Sequence, residues 1–166
     1  MRKMTAIAVT FLFLLATSPG PVLAQSPHFI GTASVVGVNS DASLNVSWKE
    51  AGLGNNVTVA YEFSGQAIAD YGCINGGGNH PQASNKETVQ GPVSATGSFS
   101  SGKNGSISAS LTIEPPPPPS TFSCPGGQTL VLADITYSGL ALADTTNGID
   151  ATLNATSASR TFFTFK

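Results

Sequence analysis

Apolar and polar residues alternate along most of this chain. Leu44, Val46 and Trp48 alternate with Asn45, Ser47 and Lys49, and Val57, Val59, Tyr61 and Phe63 alternate with Thr58, Ala60, Glu62 and Ser64. Successive side chains of a strand point to opposite faces, so a period of two marks one buried face and one wet face. The odd parity continues through Ala67, Ala69, Tyr71 and Cys73, which predicts over 57–75 one long strand bent at Gly65, with two strands hinged there as the alternative. Val89, Val93, Ala95 and Phe99 mark the next strand, and Ile107, Ala109, Leu111 and Ile113 the one after it. Between them, Lys103-Asn104-Gly105 reads as a tight hairpin, because Asn and Gly accept the positive φ angles of such turns. That turn predicts pairing of 94–101 with 106–114. An apolar run at 130–133 extends through Ile135, Tyr137, Leu140 and Leu142, a second turn falls at Asn147-Gly148, and a closing strand is expected at 161–165.

Apolar spacing of three and four never persists for three turns past residue 24, so no helix is expected there. About seven to nine short strands with turn chemistry every ten or so residues predict an all-β fold, a two-sheet antiparallel β-sandwich. An immunoglobulin-like topology is the leading expectation and a closed barrel the alternative. Trp48 precedes both cysteines instead of lying between them, unlike an antibody domain. Five consecutive prolines at 115–119 enforce a stiff extended segment of roughly 15 Å, long enough to carry the chain between sheets about 10 Å apart.

The first two dozen residues stand apart. Arg2 and Lys3 precede an uncharged apolar run at 6–16, and Val22-Leu23-Ala24 offers the small residues that signal peptidase accepts. Residues 1–24 are therefore expected to be an export signal, with the mature chain beginning near Gln25 and secreted outside the cell. Residues 25–166, about 142 in number, then form a single domain long enough for one core. An oxidising compartment favours pairing Cys73 with Cys124.

Charge changes the picture by exclusion. The whole chain carries a formal charge of −2, and the mature part loses Arg2 and Lys3 but none of its acids. A charge-poor, mildly acidic surface disfavours nucleic acid, which demands clustered Lys and Arg. No second apolar stretch approaches the roughly 20 residues of a membrane span. A monomer without cofactor or metal is expected. Four Asn-x-Ser/Thr sequons, at Asn45, Asn56, Asn104 and Asn154, match what chance gives in a chain this rich in Asn, Ser and Thr.

Several short stretches carry a family likeness: 49–54 (KEAGLG), 71–81 (YGCINGGGNHP), Asn85-Lys86, Ser123-Cys124-Pro125 and the strand at 129–137. This pattern resembles small exported, one-disulfide, β-rich proteins of soil bacteria and some fungi. The resemblance implies the paired cysteines and the β fold, and implies no activity.

Candidate chemistry is sparse. His28 and His80 are the only histidines, and without a Gly-x-Ser-x-Gly elbow a catalytic triad has no anchor. Both thiols being bridged, no zinc cluster remains. Asp144, Asn147 and Asp150 have a spacing that calcium uses, although a hydrated turn explains them as well. Glu50, Glu62, Asp70, Asp134 and Asp144 are carboxylates for hydrolysis. Most are assigned to outward positions, and Asp134, between Leu132 and Ile135, is the exception. The loop 75–87 is the most distinctive stretch: it holds Gly76-Gly77-Gly78 and offers Asn75, Asn79, His80, Gln82, Asn85 and Lys86 for hydrogen bonding to a glycan or protein. Trp48, Tyr61, Phe63, Tyr71 and Phe99 are expected in the core, with one of Phe162, Phe163 and Phe165 left exposed. The function expected is that of a secreted non-catalytic binding or structural module. A small secreted hydrolase and a secreted inhibitor or toxin-like effector are the alternatives.

Overall fold

A computed structural model describes residues 26–75 and 85–164. Its strands are β1 (His28–Phe29), β2 (Ser34–Val35), β3 (Leu44–Ala51), β4 (Thr58–Asn75), β5 (Lys86–Ser100), β6 (Ile107–Ile113), β7 (Gln128–Asp144), β8 (Ile149–Asp150) and β9 (Ser157–Thr161). All pairings between them are antiparallel and build two sheets. In the smaller sheet β3 pairs with β6 on one side and with β1 and β2 on the other. The larger runs β5-β4-β7, with β8 and β9 both on the far side of β7. Neither sheet closes on itself, so the fold is a sandwich and not a barrel.

The order matches an immunoglobulin-like arrangement in which β1 and β2 are two pieces of one edge strand, separated at Gly31. A short parallel bridge from Ala33 to Leu153 links that edge to the larger sheet. The inward faces supply the core: Leu44, Val46 and Trp48 from β3, Val59, Tyr61 and Phe63 from β4, and Ile135, Tyr137 and Leu142 from β7. The bent strand is present as one continuous 18-residue element, and its bend shows as a register irregularity between Ser64 and Gln66 against β7.

Two sequence expectations need correction. Strand β5 pairs along its whole length with β4, Thr58 opposite Ser100 and Gly72 opposite Lys86, and not with 106–114. The segment 101–106 instead crosses between the sheets through a 3-10 turn at Gly102–Asn104, and β6 joins β3. The Ser101 side chain fixes this crossing: its hydroxyl donates to the Gly54 carbonyl at 2.6 Å and accepts from the Val57 amide at 3.0 Å. The last strand also lies earlier than expected, at Ser157–Thr161, because its ladder with β7 ends at Thr161 opposite Asp134.

The turn at Asn147-Gly148 does join β7 to β8, and the proline segment does carry the chain from the smaller sheet to the larger. The Tyr71 hydroxyl donates to the Pro116 carbonyl at 2.7 Å on the way. Gly52 follows β3 at φ +75°, and a Cβ there would strike the Ser26 backbone carbonyl. Gly52→Ala is therefore expected to cost at least the roughly 1–2 kcal/mol of a left-handed non-glycine residue. A thermal midpoint unchanged from the wild type would contradict this.

Candidate functional site

One end of the sandwich gathers most of the features the sequence singles out. Strands β4 and β7 run together to Asn75 opposite Gln128, and β5 begins at Lys86 opposite Gly72. This frame holds the base of the 75–87 loop. Asn75 is exposed at the tip of β4, whereas Asn85 and Lys86 are half-buried at the start of β5. Asn79, His80 and Gln82 lie outside the described residues. The base is cross-linked, as expected, by the Cys73–Cys124 disulfide with a Cα–Cα distance of 5.5 Å.

Beside this frame the chain end forms a recess of about 260 Å³. Its apolar walls are Ala42, Val131, Leu132, Phe162 and Phe163, with Ser40 and Asp41 at the polar side. Backbone bonds from the Phe162 and Phe163 amides to the Ala133 carbonyl, at 2.7 and 3.1 Å, fold the chain over β7 directly after β9. Arg160 steadies the segment: its guanidinium donates to the Val38 carbonyl at 3.0 Å and lies 5.1 Å from the Phe162 ring centre. Phe163 is 39% exposed and Leu130 nearby 40%, so apolar surface faces solvent at this end. Asp41 Oδ1 accepts from the Ser43 hydroxyl at 2.7 Å and the Ser43 amide at 3.1 Å, and these bonds, the hydroxyl's first, hold its carboxyl below the usual carboxylate range. A shallower groove of about 580 Å³ crosses the outer face of the smaller sheet, lined largely by the hydroxyls of Thr32, Ser34, Ser47, Ser108 and Ser110.

The opposite end holds two carboxylates that the sequence reading placed outside. Glu50 and Asp144 are both fully buried. Each continues the inward parity of its strand, Glu50 after Leu44, Val46 and Trp48, and Asp144 after Leu140 and Leu142. Asp144 sits directly across from Tyr61, whose ring lies 4.7 Å from that of Trp48. Its Oδ1 accepts from the Thr146 and Asn147 amides at 2.8 and 2.9 Å, and its Oδ2 from the Asn147 side chain at 2.5 Å. Those donors make Asp144 the organiser of its own turn, and three N–H groups aimed at it are the reverse of a calcium site. Glu50 has no hydrogen bond of good geometry, although the Tyr61 hydroxyl is near enough to act on it. Burial first, and then Asp144, push Glu50 up to about 7, against the opposing influence of Tyr61 and His28.

Asp134 is only half-buried and faces outward from the larger sheet, opposite Asp70. The Thr161 hydroxyl donates to Asp134 at 2.6 Å and the Thr88 hydroxyl to Asp70 at 2.5 Å. The pair is thus held by strand neighbours on an open face. Among the described residues no group of three or more His, Cys, Asp and Glu gathers to hold a metal ion, and no helix is long and apolar enough to cross a membrane.

Compared with known proteins, the chain matches no protein family, no curated protein and no solved structure.

Proposed function

We propose that this chain is a secreted binding module without catalytic activity, which takes a glycan at the end of the sandwich that carries the Phe162–Phe163 recess and the 75–87 loop. The observation that carries the reading is the recess itself: a half-exposed aromatic wall beside an ionised, hydrogen-bonded carboxylate. A sugar ring presents both matching surfaces, an apolar C–H face for the aromatic ring and hydroxyls that donate to Asp41. At about 260 Å³ the recess takes one ring and not a whole oligosaccharide. The longer contact then falls to the described ends of the 75–87 segment, at Asn75 and Asn85. Export is supported by the signal-like residues 1–24 and by the disulfide, which oxidising compartments favour. The hydrolase alternative draws no support from Glu50 and Asp144, since neither reaches solvent.

A glycan and polysaccharide array, followed by titration of the best binder, tests the reading. Phe163→Ala should weaken binding at least tenfold while moving stability by less than about 1 kcal/mol, because the side chain is already part-exposed. Binding at wild-type affinity by Phe163→Ala would remove the recess from consideration.

A further inference from the structure

Trp48 Nε1, both Glu50 oxygens and the Tyr61 hydroxyl are buried without a hydrogen bond of good geometry, and they belong to side chains that neighbour one another and Asp144. Buried polar groups in folded proteins are nearly always paired, so a cluster of orphans needs an explanation. Counting donors supplies it. The Trp48 indole only donates, a phenol donates once and accepts, and an ionised carboxylate only accepts. With both carboxylates ionised, two acceptors meet in the core with no proton between them. With one proton on Glu50, the order runs without conflict: Trp48 N–H to the Tyr61 oxygen, Tyr61 O–H to Glu50, and Glu50 O–H to Asp144.

We propose that Glu50 carries a proton directed at Asp144 inside this closed end of the sandwich, and that losing it in alkaline surroundings loosens the end. The proton belongs on Glu50, because three N–H donors from the 144–147 turn already hold the Asp144 charge. A metal ion is a poor substitute, since the Asp144 oxygens face those same N–H groups and the indole N–H adds another donor. Strand β4 presents Tyr61 and β7 presents Asp144, while β6 sets uncharged Ile107 opposite Glu50. From β1 comes exposed His28, whose Nδ1 lies 2.8 Å from the Ser26 carbonyl, and Lys49 of β3 turns outward to solvent. Among these described residues the Tyr61 hydroxyl and, more weakly, His28 favour a negative charge on Glu50, and burial and Asp144 oppose it.

The sign follows from proton counting. Folded Glu50 keeps its proton up to about 7, against 4.5 ordinarily, so the folded state binds a proton that the unfolded chain has released. Stability is therefore fully present below the ordinary value, falls as pH rises through the window between the two, and levels off above it. The folding constant should drop by roughly two orders of magnitude across that window. The parts expected to loosen are β1, a two-residue strand that pairs with β3 at Glu50 and Ala51, and the turn that Asp144 organises.

Trp48 is the only tryptophan of the chain and reports directly. Its fluorescence and the thermal midpoint should be followed from pH 4 to pH 9 in the presence of a chelator. In the wild type the fluorescence of the folded protein should change with a midpoint near 7, while the thermal midpoint should fall as pH rises from about 4.5 to about 7 and level off above it. Glu50→Gln, whose amide donates to Asp144 without titrating, should flatten both profiles. A wild type with no such transition overturns the proposal whatever the variant does, and so does a transition that persists unchanged in Glu50→Gln. Restoration of the alkaline midpoint by millimolar calcium, in place of the chelator, would also overturn it by putting a cation where the proton is assigned.

Discussion

Replacing Cys73 and Cys124 together by alanine should lower stability by about 4 kcal/mol, the chain-entropy value for opening a loop of this length. The two cysteines are 51 residues apart in sequence, so the bridge removes much freedom from the unfolded chain. In the folded protein it joins the buried end of β4 to the connector between β6 and β7. That connector contains no strand. Besides the bridge, it is held by the Tyr71 hydroxyl on the Pro116 carbonyl and by Phe122, which packs against the core. Its extended prolines cannot donate backbone hydrogen bonds of their own. Urea unfolding followed by Trp48 fluorescence, on wild type and double variant, measures the loss. A difference under about 1 kcal/mol would sink the entropic argument and imply that the unfolded chain is already compact around this loop.

How much of this was legible beforehand depended on whether the signal was local. The bent strand could be read because its inward parity is unbroken from Val59 to Cys73, and only the pairing with β7 slips, at Gly65 and again between Asp70 and Tyr71. A turn does fall at Asn104-Gly105 and Gly105 sits at φ +62°, but Asn104 does not take the positive φ expected of it and the turn is 3-10. The turn does not choose the partner. Turn residues set the direction of the chain, whereas pairing is decided by the neighbour that matches most residues, and β5 finds fifteen of them along β4.

Glu50 and Asp144 were missed for a different reason. Their inward parity is plain in the sequence, but an acid among apolar positions was assigned by residue type to water. Charged residues are indeed almost never fully buried unless paired, and here Asp144 is held by the N–H groups of its own turn while Glu50 approaches from the other sheet. That cross-sheet meeting has no local signal. The recess was half visible: Phe162 and Phe163 announced an aromatic edge, yet its other walls, Ala42 and Val131-Leu132, come from distant turns and strands.

Tyr137 links the core to that recess, and two substitutions there should separate ring from hydroxyl. The side chain is fully buried in the larger sheet, and its hydroxyl donates to the Ala42 carbonyl at 2.8 Å. Ala42 is one of only two non-glycine residues with positive φ among those described, at +71°, a conformation that costs about 1–2 kcal/mol and needs support. The turn around it is closed by Asn39, whose amide donates to the Ser43 carbonyl at 2.9 Å, and the same turn forms one wall of the recess. Tyr137→Ala should cost about 4 kcal/mol, the usual range for deleting a buried aromatic ring. Tyr137→Phe keeps the ring and should cost only about 1 kcal/mol, for one hydrogen bond and an unsatisfied carbonyl. Because that bond steadies the recess wall, Tyr137→Phe should still weaken glycan binding more than its small stability change suggests. Urea midpoints give the two stabilities, and titration with the array's best binder gives the affinity. Equal losses of stability for the two variants would refute the division, placing the support in the hydroxyl and not in the packed ring.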